Sequence, residues 1–202
     1  MLLKSAISSG EQTAYAERVK KLAYKIYGKT PLACVVTFGC QQNVSDSERL
    51  KGELSEMGYG LTDDINEAQF IIFNTCAVRE HAEDRVYGNV GVTKALKKQN
   101  PNIIVAVCGC MAQSQSVADK IKRSYPYVDM VLGTQVQHRL PEFIYKRLSG
   151  SGRIFELELL NEEIPEGVPI KRDGTFKGWL PIMYGCDNFC TYCIVPYVRG
   201  RE

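Results

Sequence analysis

Apolar positions along the chain switch between helical and strand-like spacing. Val19, Leu22, Ala23, Ile26 and Tyr27 recur at helical intervals, with Lys20, Lys21 and Lys25 on other faces. An amphipathic helix is predicted over residues 12–28, with Gly28 as its stop. Leu32 to Phe38 is a short apolar run with β-branched residues, which reads as a strand buried on both faces. A helix from about Asp46 to Met57 follows, with Leu50 and Leu54 as its inner stripe and Gly58 and Gly60 ending it.

The alternation then repeats. Strands are predicted at residues 69–73, 103–107 and 128–132, with an edge strand at 153–159. Helices are predicted at 80–98, interrupted by Gly88 and Gly91, at 117–124, and at 136–148 with Pro141 near its start. Strands alternating with helices imply an α/β fold: an open, mostly parallel sheet flanked by helices on both faces. Residues 160–178 break the rhythm with Pro165, Gly167, Pro169, Gly174 and several charges, and read as a linker. Trp179 to Tyr184 then reads as a strand that opens a new unit. The expected organisation is a helical extension (1–30), an α/β domain (31–159), the linker (160–178) and the start of a second domain (179–202).

Composition fits this picture. The chain has 202 residues, 45% hydrophobic and 24% charged, the usual mix for a globular protein. No apolar run approaches the ~18 residues of a membrane span. The first ten residues carry no visible secretory pattern, so a cytoplasmic location without membrane contact is expected. Net charge is only +2, which decides nothing about nucleic acid. Charge is uneven, however: residues 43–90 carry −6 and residues 94–153 carry +7. The basic block includes Lys94, Lys97, Lys98, Lys120, Lys122 and Arg123. It reads as solvated helix faces; an RNA-facing surface would need these side chains on one face.

Eight cysteines change the picture more. In a reducing compartment they point to metal or catalysis rather than disulfides. Cys40, Cys76 and Cys110 each lie just past the carboxyl end of a predicted strand. A parallel sheet gathers those ends along one edge, where such folds place their ligands. Gly39 and Gly109 precede two of them, allowing a sharp turn or a close approach to a bulky group. Three thiolates suit an iron–sulfur cluster or zinc. A structural zinc would take a fourth ligand, for which His81 and His138 are candidates. Cys34 and Cys108 lie inside strands and read as small core side chains. Cys186, Cys190 and Cys193 form a C-x3-C-x2-C loop with no fourth cysteine after it. Such a loop can hold three corners of a 4Fe–4S cube and leave one iron open.

This last motif, with Tyr192 before its final cysteine, resembles the signature of radical S-adenosylmethionine (SAM) enzymes. Thr37-Phe-Gly-Cys-Gln-Gln-Asn43 with Asp46-Ser-Glu48, Asn74-Thr-Cys-Ala-Val-Arg-Glu80 and Gly109-Cys-Met-Ala-Gln113 are similar to the methylthiotransferase family. Asn74 to Glu83 and Pro196-Tyr-Val-Arg-Gly-Arg-Glu202 look most like its tRNA-modifying MiaB type. The likeness runs from about residue 32 to the last residue; Gln42 departs from it, standing where the family usually has methionine. The resemblance implies a transferase with two 4Fe–4S clusters and SAM. Cys186, Cys190 and Cys193 would hold the cluster whose open iron binds SAM and generates a 5′-deoxyadenosyl radical, with Tyr192 at the cofactor. Cys40, Cys76 and Cys110 would hold an auxiliary cluster that carries sulfur. The implied substrate is N6-isopentenyladenosine beside the tRNA anticodon, methylthiolated at carbon 2. Sulfur and electron donors are the further partners, and a monomer is expected.

Family members continue into a radical SAM (β/α) barrel and a small RNA-binding domain. A full barrel needs about 200 residues or more. Only nine residues follow Cys193, so the chain is expected to be a fragment, inactive alone. Relatives acting on threonylcarbamoyladenosine or on a ribosomal protein share the six-cysteine plan. A non-catalytic iron–sulfur or zinc module is the reading from another class.

Overall fold

The computed structural model describes residues 9–77, 80–158 and 167–202, and only the backbone of residues 9 and 80–83. Six strands, β1 (Leu32–Thr37), β2 (Gly60–Leu61), β3 (Phe70–Thr75), β4 (Ile104–Gly109), β5 (Met130–Leu132) and β6 (Ile154–Glu156), form one sheet in the order β2-β1-β3-β4-β5-β6. Every pairing is parallel, so the sheet is wholly rather than mostly parallel. Among the described residues six α-helices accompany it: α1 (Ser9–Tyr27), α2 (Gln41–Glu56), α3 (Glu80–Gln99), α4 (Gln115–Ser124), α5 (Leu140–Leu148) and the short α6 (Val195–Arg199). Among the described residues no helix is long and apolar enough to cross a membrane.

The two-residue period of a strand splits its apolar run between two cores. Phe70, Ile72, Ile104, Ala106, Cys108, Met130 and Leu132 face one core, closed by α1, α2 and α5. Cys34, Ile71, Phe73, Val105, Val107 and Val131 face the other, closed by α3 and α4. Both faces are covered, which is why β3 and β4 read as continuous apolar runs. Cys34 and Cys108 are accordingly buried on opposite faces of the sheet. Asp129, at the start of β5, is buried and accepts from Lys97, from Arg147 (2.9 Å) and from the Val105 N–H (2.8 Å). Lys97 therefore leaves the basic block for an internal ion pair.

Several elements differ from expectation. α2 begins at Gln41, five residues before the predicted start. Its first turns carry no apolar stripe because they bury polar groups instead: Asn43, Ser45, Asp46, Ser47 and Glu48. α3 is continuous through Gly88 and Gly91, neither of which meets a neighbour that would demand glycine. The predicted helix at 136–148 divides into a 3-10 turn (Gln137–Arg139) and α5. β2 was too short to predict. The edge strand shrinks to Ile154–Glu156, and part of its predicted range, like much of the linker, lies outside the described residues. Trp179 to Tyr184 is not a strand. Among the described residues no strand pairs with it, and Leu180 and Ile182 stand exposed. α6 was not predicted. The described remainder of the linker straps α2: the Lys171 N–H donates to the Glu48 carbonyl (2.9 Å), and Arg172 pairs with the Glu48 carboxylate (3.2 Å).

Glu53, on the inner face of α2, has its pKa pushed up to about 8 by burial, against the opposing pull of Arg49. The folded protein thus keeps a proton that the unfolded chain releases near 4.5. This contribution to stability is fully present below about 4.5 and is lost as pH rises through about 8. Urea unfolding across that window should show a slope approaching about 1.4 kcal/mol per pH unit from this group. Glu53→Gln should flatten the slope; an unchanged slope would show that Glu53 titrates normally.

Candidate metal centre

The chain runs from β1 outward to β2, then returns past β1 to β3 and continues away through β4 to β6. The direction reverses between β1 and β3, and the cleft beyond their carboxyl ends is where doubly wound sheets bind ligands. Cys40 lies three residues past β1, as the N-cap of α2. Cys76 follows directly on β3 and Cys110 directly on β4. Topology thus places one cysteine at the end of each of three adjacent strands.

Close backbone contacts draw the three together. Gly39 has φ +138, and a Cβ there would lie 2.6 Å from the Cβ of Cys76 and 2.8 Å from Asn43 Oδ1. Gly109 has φ +94, and its Cβ would collide with the Thr75 carbonyl and lie 2.5 Å from Asn74 Oδ1. The Cys110 N–H donates to that same Thr75 carbonyl at 2.9 Å. The turn before Cys40 therefore touches Cys76, and the turn into Cys110 touches the residue before Cys76. Neither turn has room for a side chain.

A buried amide pair lies beneath this rim. Asn43 Nδ2 donates to Asn74 Oδ1 and to the Thr75 carbonyl, each at 3.0 Å. Asn74 Nδ2 returns a bond to the Asn43 carbonyl (2.9 Å) and another to Ser47 Oγ (3.0 Å). The Cys40 thiol donates to Asn43 Oδ1 at 3.3 Å. Asn43 and Asn74 fall within the quoted motifs, yet periodicity gave them no role, because a fully buried asparagine breaks the apolar pattern that marks a core.

Arg199 of α6 completes the rim and was also missed. It is 9% exposed. Its Nε donates to Cys110 Sγ at 3.1 Å, and its Nη2 forms an ion pair with Asp46 Oδ2 at 2.7 Å. Burial opposes its charge, but Asp46 and Cys110 more than offset this and hold its pKa above the ordinary arginine value. Burial pushes the Cys110 thiol up, and Arg199 draws it partway back. A metal binding there must displace that proton.

The second cysteine set docks at the same edge. Cys186 and Cys193 are half-buried and Cys190 is exposed. The loop closes on itself through the Cys193 N–H to the Cys190 carbonyl (2.9 Å), with Phe189 in the left-handed region at φ 47. Asn188 Nδ2 donates to Cys186 Sγ at 3.3 Å. The Cys186 N–H donates to the Gly200 carbonyl at 3.1 Å, which ties the loop to α6. α6 is tied in turn to the turn after β5, by Thr134 Oγ1 to the Val198 carbonyl (2.5 Å) and Gln135 Nε2 to the Arg199 carbonyl (3.1 Å). Tyr184 stacks under Arg49 of α2 at 5.2 Å. Tyr192 projects into solvent, 96% exposed.

All eight cysteines are present as thiols. Among the described residues no three His, Cys, Asp or Glu side chains stand close enough to hold one metal ion. An iron–sulfur cube binds each thiolate on a separate iron, so its ligand sulfurs stand farther apart than those around one ion. The donor chemistry, three thiols gathered at one sheet edge, fits such a group. His138 lies in the 3-10 turn, held by the Gln135 backbone, with its pKa lowered by burial and by Arg139. The side chain of His81 lies outside the described residues.

Comparison with known proteins finds relatives over most of the chain. A Clostridium perfringens protein named tRNA-2-methylthio-N(6)-dimethylallyladenosine synthase is 52% identical over 171 residues, covering 85% of this chain and 38% of that protein. Proteins of the same name from Acetivibrio thermocellus (46% over 194 residues, 95% and 40% coverage) and Caldicellulosiruptor saccharolyticus (45% over 199 residues, 97% and 42% coverage) are also similar. The chain thus spans about two fifths of the length of the curated relatives it matches. The profile of the uncharacterized protein family UPF0004 matches residues 33–133, half of the chain, from β1 through β5 and across Cys40, Cys76 and Cys110. The chain therefore belongs to the family UPF0004 and corresponds to the N-terminal portion of proteins named tRNA-2-methylthio-N(6)-dimethylallyladenosine synthase.

Proposed function

We propose that this chain is the cluster-binding portion of a radical SAM methylthiotransferase that modifies N6-isopentenyladenosine beside the tRNA anticodon. Cys40, Cys76 and Cys110 hold one 4Fe–4S cluster at the sheet edge. Cys186, Cys190 and Cys193 would hold a second, and Tyr192 would contact the SAM bound with it. The clusters and SAM supply radical formation and the sulfur and methyl groups. The residues of this chain bind and orient: Gly39 and Gly109 let the backbone come close, and Asn43 and Asn74 fix the turns that aim the sulfurs. The tRNA, a sulfur donor and an electron donor are the proposed partners, with a monomer acting in the cytoplasm.

One observation carries this reading: a cysteine ends each of three adjacent strands, and the C-x3-C-x2-C loop docks beside them. The names of the relatives favour the isopentenyl (dimethylallyl) substrate over threonylcarbamoyladenosine or a ribosomal protein. Anaerobic reconstitution with iron and sulfide, followed by metal analysis, tests the proposal. About eight irons per chain are expected. Zinc alone, at about one or two atoms, would end the enzyme reading. Cys108→Ala should leave iron unchanged and cost only about 1 kcal/mol of stability, as for a small core side chain. A loss of half the iron would make Cys108 rather than Cys110 the ligand.

A further inference from the structure

Arg199 does more than its place in α6 requires. That helix is already held by its backbone, through Thr134 and Gln135, and by the buried side chain of Val198. Docking α6 does not call for a cation. Taking a guanidinium out of water is costly unless its partners repay it. Here the partners are a carboxylate on the helix that follows Cys40 and the sulfur of Cys110 itself. Gln42 Nε2 donates to the other Asp46 oxygen at 3.0 Å, so the carboxylate is held from both sides. The next cation along α2, Arg49, is engaged with Tyr184. Arg199 is thus a charged contact from the C-terminal segment to a cysteine of the first set. It sits one residue before Gly200, whose carbonyl holds Cys186 of the second set.

We propose that Arg199, oriented by Asp46, is a positioning residue that sets the reduction potential of the cluster on Cys40, Cys76 and Cys110. The inference rests on the cluster assignment of the proposed function. Hydrogen bonds to cluster sulfurs and nearby charge are among the main determinants of cluster potential. Reduction adds negative charge. A guanidinium on Cys110 Sγ favours the reduced state, and a carboxylate beside the guanidinium opposes it. The two residues should therefore act with opposite sign, which a purely structural pair would not.

The test uses the full chain with Cys186, Cys190 and Cys193 replaced by alanine, so that one cluster is measured. Dithionite titration is followed by electron paramagnetic resonance at the midpoint of this parent. Arg199→Gln should lower the ratio of reduced to oxidised cluster about tenfold or more, and tenfold corresponds to about 59 mV for one electron. Arg199→Lys should fall between Gln and the parent. Asp46→Asn should raise the ratio. If Arg199→Gln fails to hold iron, Asp46→Asn decides alone: a rise supports the proposal, and no change or a fall overturns it. Ratios within about twofold of the parent for all variants, or shifts of one sign for both residues, would also overturn it. A parent that binds no iron would instead defeat the cluster assignment, a separate result.

Discussion

Gly109→Ala should destabilise the protein by roughly 2–6 kcal/mol, more than the same change at an open turn. Two costs combine. At φ +94 any Cβ is strained, typically by about 1–3 kcal/mol. The new methyl would also be driven into the Thr75 carbonyl and Asn74 Oδ1 (2.5 Å), groups fixed in the sheet and in the amide pair. Overpacking of that kind adds roughly another 1–3 kcal/mol. Gly150 is the control: its φ is +95, but a Cβ there meets nothing within 4 Å. Gly150→Ala should therefore show the strain alone, about 1–2 kcal/mol. Urea unfolding of both variants checks this; equal losses would mean the turn into Cys110 has room to spare. Because a typical domain has only about 5–15 kcal/mol of stability, Gly109→Ala should also lose iron at the adjoining site.

Cys76→Ala should remove one cluster and leave the other. Cys76 is buried at the rim, against the Gly39 turn and one residue past Thr75. Its loss takes a corner from the first set without touching the C-terminal loop, whose own closing contacts run through Cys190, Cys193 and Gly200. Reconstituted iron should fall from about eight to about four per chain, with the spectrum of the remaining cluster unchanged. Loss of all iron would mean the two sets do not load independently. In that case the link through Arg199 and Gly200 would be obligatory for loading rather than a means of tuning.

The sheet and its cysteine edge were legible in the sequence because their signals are local. Apolar runs such as Phe70–Phe73 and Ile104–Val107, short and rich in β-branched or aromatic residues, read as strands covered on both faces, and Cys76 and Cys110 each follow within three residues. Parallel topology then puts those ends on one side without any knowledge of distances. What stayed hidden was polar and long-range. The first turns of α2 bury Asn43, Asp46 and Ser47, so those turns carry no apolar stripe to read. Arg199 pairs with Asp46 and Cys110 across most of the chain, and nothing in its neighbourhood marks an arginine as buried. Trp179 to Tyr184 misled for the converse reason. Its composition suits a strand, but a strand exists only where another strand accepts its hydrogen bonds.

The central claim, that three strand-end sulfurs serve one inorganic group, is tested most directly in the chain with Cys186, Cys190 and Cys193 replaced by alanine. Mössbauer spectroscopy with iron and sulfide analysis after anaerobic reconstitution should find about four irons per chain in a single cubane cluster. An iron-free chain, or one carrying a lone zinc ion, would contradict the account.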